Sequence, residues 1–117
     1  MPIARTPIRL LFVCGRNRLR SPTAEQIFSV DGVETQSAGV SPDADTPLDA
    51  DAIAWADVVF FMEQAHQAKA SRRFATALRG KRLVCLHIPD QYALMDPDLI
   101  EQLWRKVPRS VPALAAR

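Results

Sequence analysis

Ile8-Arg9-Leu10-Leu11-Phe12-Val13-Cys14-Gly15-Arg16-Asn17-Arg18-Leu19-Arg20-Ser21-Pro22 decides the fold. Its first part, Ile8 to Val13, is a short apolar run that reads as a buried strand. Ser21 suits a helix N-cap, and Pro22 suits the first helical position. The seven residues Cys14 to Arg20 therefore connect the end of a strand to the start of a helix. Such a loop is a site for a phosphate-like anion, because backbone N–H groups and the helix dipole attract negative charge there. Asn17 tolerates the left-handed backbone that a tight loop needs. Arg20 can grip two anion oxygens at once, and Cys14 would sit beneath the central atom, where the same field favours a thiolate. Cys85 serves as a control: six residues beyond it stands Gln91, not arginine.

The rest of the chain alternates strand-like and helix-like stretches. Residues 8–13, 33–38, 58–62 and 83–88 read as strands, the last two as continuous apolar runs covered on both faces. Residues 22–30, 48–55, 64–78 and 97–107 read as helices. Their expected apolar stripes are Ala24, Ile27 and Phe28; Leu48, Ala52 and Trp55; Ala65, Ala68, Phe74 and Leu78; and Leu99, Leu103 and Trp104. Gly80 and Pro108 are placed to end the last two helices. The pattern predicts an α/β fold, a three-layer sandwich with a four-stranded parallel sheet and helices on both faces. In such sheets ligands bind beyond the carboxyl ends of the strands. The loop at Cys14, the 39–47 loop and the segment after Ile88 would meet there.

At 117 residues, the chain 1–117 is expected to form one domain. No apolar run approaches the ~20 residues of a membrane span, and residues 1–13 lack the features of a signal peptide. Two cysteines in these settings do not make a disulfide framework, so a reduced, cytoplasmic location is expected. A net charge of +2 gives no case for nucleic acid. Arg5, Arg9, Arg16, Arg18 and Arg20 nonetheless crowd the first twenty residues. A second basic run, Arg72, Arg73, Arg79, Lys81 and Arg82, lacks interleaved aromatics and reads as a solvated helix face and its exit. His66 and His87 are isolated, so no metal site and no cofactor are expected.

Leu11-Phe12-Val13-Cys14 with Asn17, Arg20-Ser21-Pro22 and Ala24-Glu25 resembles the opening signature of the low-molecular-weight protein tyrosine phosphatases. Ser37-Ala38-Gly39, Ala56 through Glu63 and Ile88-Pro89-Asp90-Gln91-Tyr92 resemble later segments of that family, and the closest likeness is to its short bacterial branch. The resemblance implies Cys14 as nucleophile, Arg20 as transition-state clamp and Asp90 as general acid. It also implies that Gly15, Arg16, Asn17, Arg18 and Leu19 wrap the phosphoryl group, that Ser21 hydrogen-bonds the thiolate and that Tyr92 walls the substrate. Asp96, before Pro97, is the other candidate acid, but it also reads as a helix N-cap. Three positions depart from the family pattern: Arg16 replaces a glycine, Leu19 a second cysteine, and Gln91 the proline after the acid.

The implied activity is metal-independent, cysteine-dependent hydrolysis of phosphomonoesters through a phosphocysteine intermediate, with phosphotyrosine the expected substrate class. A phosphorylated protein or small phosphate ester would be the partner, Arg16 and Arg18 favouring an acidic one. Arsenate reduction, which would need a thiol relay, and a non-catalytic phosphocarrier module are the alternatives.

Overall fold

The computed structural model describes residues 6–115; Arg5 and the start of the 1–13 segment lie outside the described residues. Four strands, β1 (Ile8–Cys14), β2 (Val33–Gly39), β3 (Val58–Phe61) and β4 (Arg82–Cys85), form one sheet in the order β2-β1-β3-β4. All three pairings are parallel, as the alternating pattern predicts. Register aligns the carboxyl ends: Cys14 lies opposite Gly39, Val13 opposite Phe61, and Phe61 opposite Cys85.

Alternation along the central strand divides the core into two halves. Leu10 and Phe12 face one side with Phe60 and Met62, under α1 (Arg20–Ile27) and α5 (Pro97–Lys106), which supply Ala24, Leu99 and Leu103. Phe28, just past α1, joins this half, stacking on Phe12 at 5.7 Å and meeting Trp104 edge-on at 4.7 Å. Leu11 and Val13 face the other side with Val59 and Phe61. There α2 (Ala50–Trp55), α3 (Gln64–Arg73) and α4 (Ala75–Leu78) supply Ile53, Ala70 and Leu78. A 3₁₀ turn, Val107–Arg109, and α6 (Pro112–Ala115) follow α5. The sandwich therefore has helices on both faces. No helix among the described residues is long and apolar enough to cross a membrane.

Several expectations need correction. The helix expected at 64–78 breaks at Phe74, whose φ of −127° and ψ of 35° are not helical. Its Ala65 and Ala68 are exposed, while His66 and Ala70 face inward. The phase is set by the N-cap at Glu63, and alanine is small enough to accept either side. The last strand is shorter than 83–88 and lies at the sheet edge with Cys85 half-buried. His87 has φ 55°, which ends the regular ladder. Leu86 and Ile88 still donate to the carbonyls of Phe61 and Met62. The basic run at 72–82 is largely exposed, as expected, although Lys81 is held by the carbonyls of Ala54 and Ala56.

Candidate active site

Cys14 is the last residue of β1 and is buried, 3% exposed. Its Sγ lies 2.8 Å from Ser21 Oγ. Ser21 in turn accepts from Asn17 Nδ2 at 3.0 Å and lies within 3.4 Å of the Ala38 carbonyl. Ser21 was expected to cap the helix. Instead α1 begins two residues earlier than expected, at Arg20, with Leu19 at the cap position and no side-chain cap. The Ser21 hydroxyl is thereby placed at the thiol, and Asn17, with φ 59°, folds the loop back to brace it.

The loop's peptide groups are oriented from outside. The carbonyls of Cys14, Gly15 and Arg16 accept from the N–H groups of Val40, Ser41 and Asp45. In a trans peptide the N–H points opposite to the C=O. The N–H groups of Gly15, Arg16 and Asn17 consequently point away from the backbone N–H groups that hold these carbonyls. Close approach makes this possible: a Cβ on Gly39 would lie 2.5 Å from the Gly15 carbonyl oxygen and 2.6 Å from Ala44 Cβ.

Arg20 is 5% exposed, and its Nη1 donates to Glu63 Oε2 at 2.5 Å and to the Ile88 carbonyl at 2.8 Å. Its Nε lies 3.8 Å from Asp90 Oδ1. These groups share a cleft of about 580 Å³, lined by Cys14, Gly15, Arg16, Arg18, Leu19, Arg20, Ser41, Glu63, His66 and Asp90. The fold thus brings Cys14 and Arg20, at the two ends of one loop, together with Asp90 from a segment remote in sequence. Asp96 is placed elsewhere, capping α5 by accepting from Asp98 N–H.

Two expectations about the walls change. Tyr92 is not among the residues lining this cleft; it packs partly buried against the core beneath α1 and α5. Asp90 stays exposed at the cleft while Tyr92 turns to the core. Arg16 and Arg18 do flank the mouth, but each has an acidic neighbour, Asp43 at 3.8 Å and Asp45 at 3.3 Å. All four side chains are about half exposed or more, so these pairs are weak and salt-sensitive.

Glu63, His66 and Ser41 complete the cleft without having been singled out from sequence. For Glu63 a signal existed: a carboxylate two residues beyond a buried parallel strand stands where ligands bind. Glu63 caps α3 reciprocally with His66. The Glu63 side chain accepts from His66 N–H, and His66 Nδ1 accepts from Glu63 N–H at 3.2 Å. That second bond requires Nδ1 to be bare, so neutral His66 carries its proton on Nε2. Burial foremost, then the Arg20 guanidinium, holds the His66 pKa below the ordinary imidazole value; Lys69 adds to this, and the Glu63 and Asp90 carboxylates oppose it.

The unfolded chain takes up this proton first as pH falls, so the folded state loses stability from about pH 6.5 downward. An NMR titration of His66 should show a midpoint below 6.5, and His66→Gln should flatten part of the fall in Tm from pH 6.5 to 5. A midpoint at or above 6.5 would contradict the buried, uncharged state.

No protein-family model matches the chain, and no curated protein matches it by sequence. Solved structures do resemble it. An arginine phosphatase, YwlE of Geobacillus stearothermophilus, is 28% identical over 68% of this chain and 67% of its own, with a TM-score of 0.57. The tyrosine phosphatase Wzb of Escherichia coli K30, in complex with phosphate, is 24% identical, covers 91% of this chain and 97% of its own, and has a TM-score of 0.71. Wzb of Vibrio vulnificus, in complex with benzylphosphonate, is 20% identical over 81% of this chain and 88% of its own, at a TM-score of 0.64.

Proposed function

Starting from a chain whose fold is that of the low-molecular-weight protein tyrosine phosphatases, we propose that it is a cysteine-dependent phosphatase acting on phosphomonoesters. The observation that carries this reading is the meeting of Cys14, Arg20 and Asp90 at one cleft above the carboxyl ends of the sheet.

The reaction runs as two displacements. In the first, the Cys14 thiolate attacks phosphorus, the ester P–O bond breaks, and Asp90 gives its proton to the departing oxygen. In the second, Asp90, now a carboxylate, takes a proton from water as the water oxygen attacks phosphorus and the P–S bond breaks. Ser21 donates to the thiolate when it is free, which suits its 2.8 Å contact. The N–H groups of the loop and the Arg20 guanidinium stabilise the three equatorial oxygens throughout. Asp90 is 67% exposed at its side chain and adjacent to the Arg20 edge, so it can reach both the leaving group and water.

Aryl esters such as phosphotyrosine are the proposed first class, since the cleft has room for a phenyl ring and exposed Leu19 offers an apolar rim. Cys85 lines a different groove, with His87 and Lys106, and so gives a thiol relay from Cys14 no support.

The test is hydrolysis of p-nitrophenyl phosphate and of a phosphotyrosine peptide, with chelator present. Turnover should persist, and Asp90→Asn should lower kcat by on the order of 10² to 10³-fold. The loss should be greater for alkyl than for p-nitrophenyl esters, because nitrophenolate leaves without a proton. A folded wild type that turns over none of these substrates would overturn the proposal.

A further inference from the structure

Glu63 poses an electrostatic problem. A carboxylate within hydrogen-bond distance of the buried Arg20 repels the anion that the same cleft would bind. Its surroundings show what it does there. Glu63 stands at the N-cap of α3 in a capping box with His66, and its side chain reaches Arg20 Nη1 at 2.5 Å. The Ile88 carbonyl takes the same nitrogen at 2.8 Å. Both hydrogen bonds of the guanidinium thus fall on Nη1. The Nε–Nη2 edge, whose Nε lies 3.8 Å from Asp90 Oδ1, carries neither of these hydrogen bonds and can meet two oxygens side by side; bidentate recognition depends on the orientation of that edge. Arginine has several rotatable bonds, and fixing them before the anion arrives lowers the cost of binding it.

We propose that Glu63 is a positioning residue that aims Arg20, so that an anchored carboxylate strengthens an oxyanion site it would otherwise weaken. The proposal rests on the reading of the cleft as a phosphoryl site. Glu63 acts through Arg20 and need not touch the substrate. Arg20 approaches from α1, Glu63 from the β3–α3 junction and Ile88 from beyond β4, so the clamp's orientation records the packing of three segments.

Simple electrostatics and positioning predict opposite signs, which makes the test decisive. Inorganic phosphate is titrated by calorimetry into Cys14→Ser protein, alone and combined with Glu63→Gln, Arg20→Ala or both. Positioning predicts that Glu63→Gln weakens phosphate binding about ten- to a hundredfold. In the Arg20→Ala background the same change should have no such effect, because the residue it acts through is gone. Equal or tighter binding by Glu63→Gln, or the same loss with and without Arg20, would overturn the proposal.

A second measurement covers the case in which a variant folds poorly or phosphate fails to bind. In Cys14→Ser protein without phosphate, the Arg20 Nε–H resonance should be resolved and slow to exchange. Glu63→Asp, which keeps the charge but shortens the arm, should broaden it while the amide spectrum stays folded. A parent that binds no phosphate yet shows this change would sink the phosphatase reading and keep the role of Glu63. An Arg20 signal indifferent to Glu63 would sink the role alone.

Discussion

Cys14→Ser is expected to lower kcat on p-nitrophenyl phosphate by on the order of 10⁴-fold or more, with little change in Tm. The serine oxygen occupies almost the same volume at a buried position and can keep a hydrogen bond to Ser21 Oγ, so the fold has no reason to change. The chemistry does have one. A hydroxyl at neutral pH is not an anion, and the site holds no general base against Cys14: its polar neighbour is another hydroxyl. The oxyanion machinery meanwhile survives, so phosphate should still compete for the cleft. Steady-state release of p-nitrophenol, with thermal unfolding of both proteins, checks this. A variant retaining a tenth of wild-type turnover would show that the nucleophile lies elsewhere.

Gly39→Ala should be nearly as damaging by another route. The added Cβ would overlap the Gly15 carbonyl oxygen at 2.5 Å and Ala44 Cβ at 2.6 Å, and lie 3.0 Å from the Arg16 carbonyl carbon. Gly39 cannot retreat, because its N–H donates to the Thr46 carbonyl and its own carbonyl accepts from Leu48 N–H. The strain must then be relieved by moving the Cys14 loop or the 40–46 segment. Overpacking of this kind costs about 2–3 kcal/mol, which corresponds to a fall in Tm of about 10 °C for a chain of this size. Displacement of the loop should reduce kcat about a hundredfold even where the protein remains folded. Calorimetric Tm and kcat measured well below the transition separate the two effects. An unchanged kcat would mean that the loop does not depend on this contact.

The sequence made the central sheet legible because its signals were redundant. Leu10 through Val13 and Val58 through Phe61 are apolar without interruption, as strands of a parallel sheet covered on both faces are, and their alternation with helical stretches selects that sheet. The seven-residue loop could be located from Cys14, Asn17 and Arg20, and Asp90 from its place beyond an apolar run. What stayed hidden depended on long-range geometry. Ser21 is a good N-cap residue in isolation, and only the fold shows that the thiol has claimed its hydroxyl. The phase of the 64–73 helix could not be read because alanine occurs on both of its faces. The resemblance places Tyr92 at the cleft wall beside Asp90, but the chain bends at Asp90 and Tyr92 packs against the core instead. Glu63 and Arg20 are 43 positions apart, and no local pattern links them.

The three carbonyls of Cys14, Gly15 and Arg16, each fastened to the 40–45 segment, bear on protein engineering. They make the Cys14–Arg20 loop a casting rather than a cassette. Grafted onto another strand–helix junction with every residue intact, it would lack the mould that turns its amides inward, and should bind oxyanions poorly. Residues 39–46 would have to travel with it as one unit. Conversely, libraries that vary the outward-facing side chains of that second segment could reshape the anion site without altering a residue of the loop itself.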